Sequence, residues 1–353
     1  MAVLGPRFYP LQALIRRLGR SDTSLTQAAD SVEELSPESE ETPPRVIALP
    51  GQPDRARASS GAAPLRDELA LLFSRRSVHA PVIRYSFNDC LVRPDGVDSP
   101  RMRHAVGARL GIAPVNGPID RAETGHFCMT HVSRAYFGHW LQDACATALL
   151  APRGAPVFMD ALSGTTHGPA YLDAFGITPR QTAACHVGRL HLYQDYAQGR
   201  SKRERYAGMR ASLARAFPGD GTGAEGLYIR RGQSGQSRLI DGEEALIERL
   251  TRAGFEVLDI TKADLATIQR RCRDARIAVS IEGSHLSHLQ FAMPEGACII
   301  ALMPSDRVSA LQAGYAHAAG LRFGVLMADP GPEGYRVDAD ELMATIDKAD
   351  AAI

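Results

Sequence analysis

Three short segments of the sequence place charged, imidazole or hydroxyl side chains next to glycines or aromatic rings. Each segment begins a predicted helix or follows a predicted strand, which is where open α/β sheets present ligand-binding side chains. The segments are Tyr136–Asp143 (YFGHWLQD), Arg230–Arg238 (RRGQSGQSR) and Glu282–His285 (EGSH). Their residue types indicate a base for a hydroxyl group, a cationic loop and an anion-binding turn.

The first segment contains the only tryptophan of the chain, Trp140. His139 and Asp143 are four residues apart and therefore share one face of the predicted helix. Such a pair can deprotonate a hydroxyl group, and an aromatic ring such as Tyr136 or Trp140 can stack on a sugar. The alternative is a helix start in which Trp140 belongs to the core and His139 is only a cap.

The second segment leaves a predicted strand, Leu227–Arg230, with three arginines and two glycines. Arg230, Arg231 and Arg238 could bind a diphosphate and stabilise a departing phosphate group by neutralising its charge. A solvated basic loop is the alternative. The segment has neither the Gly-Lys-Ser/Thr ending of a Walker loop nor a Gly-x-Gly-x-x-Gly turn, which argues against NAD or FAD.

The third segment joins a predicted strand, Arg276–Ile281, to a predicted helix that begins at His285. Backbone amides at such a turn favour an anion, most simply a phosphate. Gly283 would permit close backbone approach, and the residues from Ser284 through His285 and Leu286 to Ser287 would contact the anion. The alternative is a Gly-Ser pair that is present only because it turns well.

The elements that position these segments alternate between strand and helix. The strands predicted in the C-terminal half are Leu227–Arg230, Phe255–Ile260, Arg276–Ile281, Ala297–Met303 and Leu321–Met327. The intervening helices are predicted at Asp241–Ala253, Thr261–Ala275, His285–Ala292 and Asp306–Ala319, with Asp241 and Thr261 as N-caps. Four βα units followed by a fifth strand predict a doubly wound parallel sheet with helices on both faces.

The sequence predicts four parts. Residues 1–44 are expected to form a flexible tail with an acidic linker, and 45–217 an N-terminal α/β lobe. Residues 218–335 are expected to form a C-terminal α/β lobe, and 336–353 a helix that packs back on the body. Within the tail, residues 1–20 are either loosely docked or form a basic amphipathic helix that lies on an anionic membrane.

Composition excludes several classes of protein. The 40 basic and 40 acidic residues give zero net charge, which disfavours nucleic acid as a partner. The six cysteines form no Cys-x-x-Cys pair and are expected to be reduced thiols. No run of about 18 apolar residues and no secretory leader is visible, so we expect a cytoplasmic protein, with peripheral contact to the inner membrane through residues 1–20 as an option. No metal site is predicted.

Together the segments resemble the family-61 glycosyltransferases, a group found in bacterial polysaccharide gene sets and among eukaryotic xylosyl- and N-acetylglucosaminyltransferases. Tyr136–Asp143 resembles the family's Asn-Tyr-x-His-Phe/Trp-Leu stretch, and Leu227–Arg238 its strand–Arg–Arg block. Ala278–Gly296 resembles its Gly-x-His-Gly-Ala-Gly-Leu-Thr-Asn-x-x-Phe block, with Glu282-Gly283-Ser284-His285 where the family has His-Gly-Ala-Gly. The resemblance extends from about Arg45 to Asp329.

The resemblance implies a GT-B-like architecture of two Rossmann-type lobes with the site in the cleft between them. The C-terminal lobe would bind a nucleotide-diphosphate sugar, usually UDP-linked, and the N-terminal lobe would present a hydroxyl of a polysaccharide or glycolipid. Transfer would be inverting, with no tightly bound metal and no cofactor besides the sugar donor. His139 or Asp143 would be the general base and Glu282 would contact ribose or sugar hydroxyls, although the roles of His139 and Glu282 could be exchanged.

Two other functions remain open from the sequence. A non-catalytic paralogue could bind a nucleotide or sugar without turnover, because the Glu282–His288 block differs from the family pattern. An unrelated α/β enzyme, such as a nucleotide-sugar epimerase or a hydrolase, is less favoured, since an epimerase needs the dinucleotide turn that is missing.

Overall fold

The computed structural model describes residues 5–18, 24–107, 111–162, 165–221, 223–232 and 238–353. Its strands are β1 (Ser31–Ser36), β2 (Ser39–Glu41), β3 (Ser77–His79), β4 (Val82–Arg93), β5 (Gly96–Asp98), β6 (Arg103–Ala105), β7 (Asp120–Phe127), β8 (Val157–Phe158), β9 (Cys185–Gln194), β10 (Gly226–Arg230), β11 (Phe255–Asp259), β12 (Ile277–Ile281), β13 (Cys298–Pro304), β14 (Arg322–Pro330) and β15 (Tyr335–Arg336). Its α-helices are α1 (Tyr9–Leu18), α2 (Leu25–Ala28), α3 (Leu65–Leu72), α4 (His131–Ala135), α5 (Phe137–His139), α6 (Ala146–Ala148), α7 (Gly168–Phe175), α8 (Arg200–Ala216), α9 (Glu243–Arg252), α10 (Leu265–Cys272), α11 (Leu286–Ala292), α12 (Leu311–Ala318) and α13 (Ala339–Asp350). A π-helix, Trp140–Cys145, separates α5 from α6.

The chain divides into two compact units, one of residues 1–39 and 80–197 and the other of residues 40–79 and 198–353. These bounds differ from the predicted lobes, because residues 40–79 and 198–217 belong with the C-terminal part. The difference arises from long-range pairing: Ile47 lies beside Gly324 of β14, and α8 packs against α11. Short-range sequence patterns carry no information about such contacts.

The N-terminal unit contains a mixed sheet in the order β6-β5-β4-β9-β7-β8, with β1 also paired to β4. The β4–β9 and β1–β4 pairs are antiparallel, whereas β7 lies parallel to both β8 and β9. The predicted acidic linker thus includes a strand, since Ser31–Ser36 pairs with β4. The carboxylates of β1 do not prevent this pairing, because β1 is an edge strand and its acidic side chains stay exposed to water.

The N-terminal helix α1 is held by Tyr9, which is fully buried with Leu91 and Ala184. The Tyr9 hydroxyl donates a hydrogen bond to the carboxylate of Asp89. The predicted flexible tail is therefore a docked segment over the part that the structure describes. Residues 1–4 and 19–20 of the predicted membrane-contacting stretch lie outside the described residues.

The C-terminal unit is built on a sheet in the order β11-β10-β12-β13-β14-β15. The first five strands are parallel to their neighbours, and β15 runs antiparallel to β14. The sheet is therefore mixed rather than wholly parallel. The α/β class is confirmed, while the GT-B arrangement stays a prediction.

Both faces of this sheet are covered, since every residue of β12 and β13 is buried. Buried strands of this kind have continuous apolar sequences instead of alternating ones. One face packs with α9 and α13, which contribute Leu246 and Leu250, and Leu342 and Ile346, respectively. The fold therefore fixes the carboxyl ends of the parallel strands, where the predicted arginine and Glu282–His285 segments emerge.

All six cysteines are buried and unbridged. Burial raises the thiol pKa of Cys272 and of Cys298 to about 12. None of the helices formed by the described residues has both the length and the apolar character needed to cross a bilayer.

Replacing Leu342 by alanine should lower the free energy of unfolding of the C-terminal unit by about 2–5 kcal/mol, because this fully buried side chain joins α13 to the sheet. Leu71→Ala in the same unit is the matched control, since Leu71 is 66% exposed, and it should change that free energy by less than about 0.5 kcal/mol. Urea unfolding followed by circular dichroism measures both. Equal effects of the two substitutions would contradict this packing.

Candidate functional site

His139 and Asp143 form a hydrogen-bonded pair at the start of the π-helix. The His139 Nδ1 and Asp143 Oδ2 atoms are 2.8 Å apart, and the two side chains are 20% and 12% exposed. A carboxylate at Nδ1 favours the tautomer in which Nε2 is the basic nitrogen. The pair therefore has the geometry of a general base whose orientation is fixed by its acidic partner.

The two aromatic residues predicted on the acceptor side have different environments. Tyr136 is 50% exposed, and its ring centre lies 6.2 Å from that of His139. Trp140 is fully buried, and its Nε1 donates to the carbonyl oxygen of Asp160 at 2.7 Å. Trp140 is thus a core residue, the alternative that the sequence left open, and Tyr136 is the ring that a sugar could reach.

A pocket of about 110 Å³ lies in the same unit at the carboxyl ends of β7 and β8. Asp160, whose carbonyl accepts from Trp140, is part of its wall. Its other lining residues are Val92, Arg93, Pro94, Met129, Arg134, Phe158, Met159, Arg180, Gln181 and Thr182. No sequence motif indicated this pocket, since its residues come from four separate parts of the chain.

In the C-terminal unit, Arg238 and Glu282 form a buried ion pair. The Arg238 Nη1 donates to the carboxylate of Glu282 at 2.6 Å and also to its backbone oxygen, and each side chain is 10% exposed. Glu282 directly follows β12, so its position is fixed by the sheet. Each side chain of this pair stabilises the other, because a buried guanidinium or carboxylate without an ionic partner would be energetically costly.

Two further guanidinium groups, those of Arg231 and Arg307, lie close enough to Arg238 to repel it electrostatically. We call Arg231, Arg238 and Arg307 the arginine cluster. Burial, followed by the charge of Arg238, lowers the pKa of Arg231 to about 10, and Glu282 opposes this shift. Positive charge concentrated around one carboxylate makes an anionic ligand favourable at this place.

The arginine cluster lies at the carboxyl edge of the sheet, because Arg231 follows β10, Glu282 follows β12 and Arg307 comes shortly after β13. In the sheet β11 lies on one side of β10 and β12 on the other, so the order in which successive strands are added reverses between β10 and β12. Open α/β sheets bind ligands at such a reversal. Sequence reasoning missed Arg307, although its place after a predicted strand was a usable signal.

Arg230, the other predicted diphosphate ligand, points elsewhere. Its guanidinium bonds Glu244 and lies 3.3 Å from a carboxylate oxygen of Glu243, both in the first turn of α9. The hydrogen bond to Glu244 raises the pKa of Arg230. The structure thus separates Arg230 from the arginine cluster, and the residues 233–237 of the predicted loop lie outside the described residues.

The turn after β12 is compact. The amide of Leu286 donates to the carbonyl of Gly283 at 3.1 Å, and that of Ser287 to the carbonyl of Ser284 at 3.2 Å. The Leu286 amide, which the sequence predicted as an anion-binding donor, is therefore already hydrogen-bonded within this turn. A side chain at Gly283 would be crowded, since an added Cβ would lie 3.0 Å from both Arg238 Nη1 and His285 Nδ1 and these groups would have to shift.

The imidazole of His285 is hydrogen-bonded to Ser280 of β12. Its Nε2 lies 2.8 Å from the Ser280 Oγ, which in turn lies 2.7 Å from the carbonyl oxygen of Ile229. Burial, followed by the charge of Arg231, holds the pKa of His285 well below its usual value. Ser280 was not foreseen, because a serine in the middle of a buried strand gives no chemical signal in a sequence.

The described residues contain no group of three or more His, Cys, Asp and Glu side chains arranged to hold a metal ion. A second pocket, of about 370 Å³, opens at the amino ends of the strands in the C-terminal unit and is lined by Gly226, Phe255 and Arg276 among others. It lies at the opposite edge of the sheet from the arginine cluster.

Acid should destabilise the C-terminal unit through His285. In the unfolded chain the imidazole takes up a proton near pH 6.5, whereas in the folded chain its pKa is well below that value. The unfolded state therefore binds more protons between these two pKa values, and the free energy of unfolding decreases as the pH falls below about 6.5. Urea unfolding from about pH 7 to pH 5 should show this slope, and His285→Asn should make it shallower. Parallel profiles for the two proteins would contradict the buried, neutral ring.

Part of the chain matches the sequence model of a known protein family. The sequence model of the family described as Glycosyltransferase 61 matches residues 137–300. This range is narrower than the resemblance that the sequence suggested, but it contains the His139–Asp143 pair, Arg231, Arg238 and the Glu282–Ser287 turn. Among curated proteins, none matches the chain. The match over residues 137–300 therefore supports glycosyltransferase family 61 as the family of this part of the chain.

Proposed function

We propose that the protein transfers a sugar from a nucleoside-diphosphate sugar to a hydroxyl group of a polysaccharide or glycolipid. The observation that carries this proposal is the arginine cluster around Glu282, at the carboxyl ends of β10, β12 and β13. It combines concentrated positive charge with the edge of the sheet where α/β proteins bind nucleotides. The match to family 61 supports a transferase.

On the donor side, Arg231 and Arg238 contact the diphosphate and neutralise the charge that develops as it departs. Glu282 holds Arg238 in position through the buried ion pair, a role that differs from the contact with ribose or sugar hydroxyls expected from sequence. The Ser284 and His285 amides add donors beside Gly283, whose lack of a side chain lets the ligand approach. Arg230 contributes only if it leaves Glu243 and Glu244.

On the acceptor side, His139 Nε2 accepts the proton of the acceptor hydroxyl while Asp143 stabilises the resulting imidazolium. The acceptor oxygen forms a bond to the anomeric carbon as the bond from that carbon to the diphosphate oxygen breaks, and the electron pair leaves with the diphosphate. Tyr136 and the 110 Å³ pocket beside Asp160 are proposed to hold the acceptor sugar.

Four finer features extend the proposal by resemblance to the family. They are a GT-B architecture, inversion at the anomeric carbon, a UDP-linked donor and catalysis in which the arginine cluster supplies the charge that a metal ion supplies elsewhere. We further propose a cytoplasmic enzyme whose N-terminal segment contacts the membrane, since Phe8 and Ile15 are exposed apolar residues in a stretch whose sequence also contains arginines.

Arg238→Ala should abolish the stabilisation of the protein by UDP and UDP-sugars in a thermal-shift screen, because it removes a phosphate contact and leaves Glu282 unpaired. Arg249→Ala is the matched control, since Arg249 forms an exposed ion pair with Asp340 on the surface of α9. The control should keep the nucleotide-dependent shift of the wild type. A wild-type protein that no nucleoside diphosphate stabilises would exclude the proposal.

His139→Ala should lower kcat by about 10²–10⁴-fold while nucleotide binding stays unchanged, because it removes the base but no donor contact. Asp143→Asn should give a smaller loss, since the ring keeps a hydrogen-bonding neighbour. Release of free UDP with and without acceptor sugars measures both. Wild-type turnover in the His139→Ala protein would assign the base to another residue, with Glu282 as the next candidate.

A second function, a non-catalytic nucleotide- or sugar-binding protein, is favoured by one observation. The guanidinium of Arg238, which a diphosphate would need as a donor, is already hydrogen-bonded to the carboxylate of Glu282. The two functions differ in one measurement, since a non-catalytic protein would show UDP-dependent stabilisation without any UDP release from UDP-sugars.

A further inference from the structure

Three buried polar atoms in or next to the arginine cluster have no hydrogen-bond partner among the described residues: Arg238 Nε, His285 Nδ1 and Ser287 Oγ. Most buried polar atoms in folded proteins are hydrogen-bonded, so a group of unpaired ones calls for an explanation. The three residues lie close to the turn that follows β12: His285 and Ser287 come directly after it, and Arg238 bonds to Glu282 at its start. This grouping indicates polar atoms that are satisfied by a bound molecule.

The hydrogen-bond chain beneath His285 determines which ring nitrogen carries the proton. The carbonyl oxygen of Ile229 can only accept, so the single hydroxyl proton of Ser280 must lie between the Ser280 Oγ and this carbonyl, which are 2.7 Å apart. The Ser280 Oγ then has only lone pairs left for His285, and the 2.8 Å contact requires a proton on Nε2. In the neutral ring Nδ1 is consequently a bare acceptor.

The surroundings of His285 keep the ring neutral. It is buried, and the nearby positive charges belong to Arg231 and Arg238, with His288 as a further neighbour. Each of these disfavours a second proton on the imidazole. A lone pair beside guanidinium groups is therefore a stable feature of the folded protein.

The Nδ1 atom of His285 also lies next to Gly283, on the side where Arg238 is found. A Cβ added to Gly283 would lie 3.0 Å from His285 Nδ1 and 3.0 Å from Arg238 Nη1. The acceptor nitrogen of His285 and the donor nitrogen of Arg238 thus flank the same glycine. A molecule that contacts both must carry a hydrogen-bond donor close to a negatively charged or acceptor group.

We propose that His285 Nδ1 accepts a hydrogen bond from a hydroxyl group of the bound nucleotide sugar, next to the anionic group held by Arg231 and Arg238. The proposal rests on the proposed function, because it takes the nucleotide sugar as the ligand. Ser280 is the positioning residue that fixes the tautomer. His285 is then a specificity determinant, since a ligand without this hydroxyl would leave a buried acceptor unpaired.

The first test uses the full chain without ligand. Nitrogen-15 spectra of the imidazole-labelled protein should show His285 with an unprotonated Nδ1 and a protonated Nε2, since the two nitrogen states resonate at well-separated frequencies. His285→Asn identifies the resonances. Ser280→Ala should broaden or mix them because the anchor of Nε2 is lost. Finding the proton on Nδ1 in the wild type would overturn the proposal.

The second test compares two isosteres by calorimetric titration with UDP-N-acetylglucosamine and UDP-xylose. His285→Asn retains a side-chain oxygen near the position of Nδ1, and we expect affinity within about threefold of the wild type. His285→Gln keeps a group near Nε2 but loses the Nδ1 acceptor, and its affinity should fall by about 5- to 100-fold. Thermal unfolding of each variant establishes that it is folded.

The outcomes separate this inference from the proposed function. Wild-type affinity in the His285→Gln protein, or an equal loss in both variants, would overturn the role of Nδ1 while leaving nucleotide-sugar binding intact. A wild type that binds neither UDP-sugar would overturn the proposed function and the ligand assigned to His285 with it.

Discussion

The buried ion pair between Arg238 and Glu282 is the interaction on which the candidate donor site depends. The carboxylate of Glu282, placed by the end of β12, stabilises the guanidinium of Arg238, which the guanidinium groups of Arg231 and Arg307 would otherwise repel. Its removal would leave several positive charges in a region of low water access, at a cost that a marginally stable domain can hardly sustain. The same pair places a strong donor at the edge of the sheet before any ligand arrives.

Most of the C-terminal unit could be predicted from the sequence, because its strands are continuous apolar runs and its helices are short and amphipathic. The predicted strand Phe255–Ile260 is observed as Phe255–Asp259, for example. The helix caps were less predictable. Asp264, rather than Thr261, caps α10, because Thr261 donates to Asp259 instead. Asp241, the expected cap of α9, instead accepts from the amide of Glu333. Neighbouring oxygens compete for the same amides, and geometry decides between them.

The sequence predicts where in the fold the candidate site lies, but it does not predict which side chains of the site contact one another. The strand–helix alternation is enough to bring Arg231 and Glu282 to one edge of a sheet. It does not reveal that Arg230 turns to the acidic first turn of α9 while Arg238 turns to Glu282. The N-terminal unit was harder still, since its sheet joins β1, β4 and β9 from distant parts of the chain. Such pairings depend on tertiary contacts that local patterns do not encode.

The six buried thiols give the protein a practical property. Because each is enclosed and Cys272 and Cys298 ionise only at strongly alkaline pH, maleimide reagents at neutral pH would find few native targets. A single cysteine introduced on an exposed helix of each unit would then carry a fluorophore or spin label almost alone. The chain is thus suited to distance measurements between its two units without prior removal of its own cysteines.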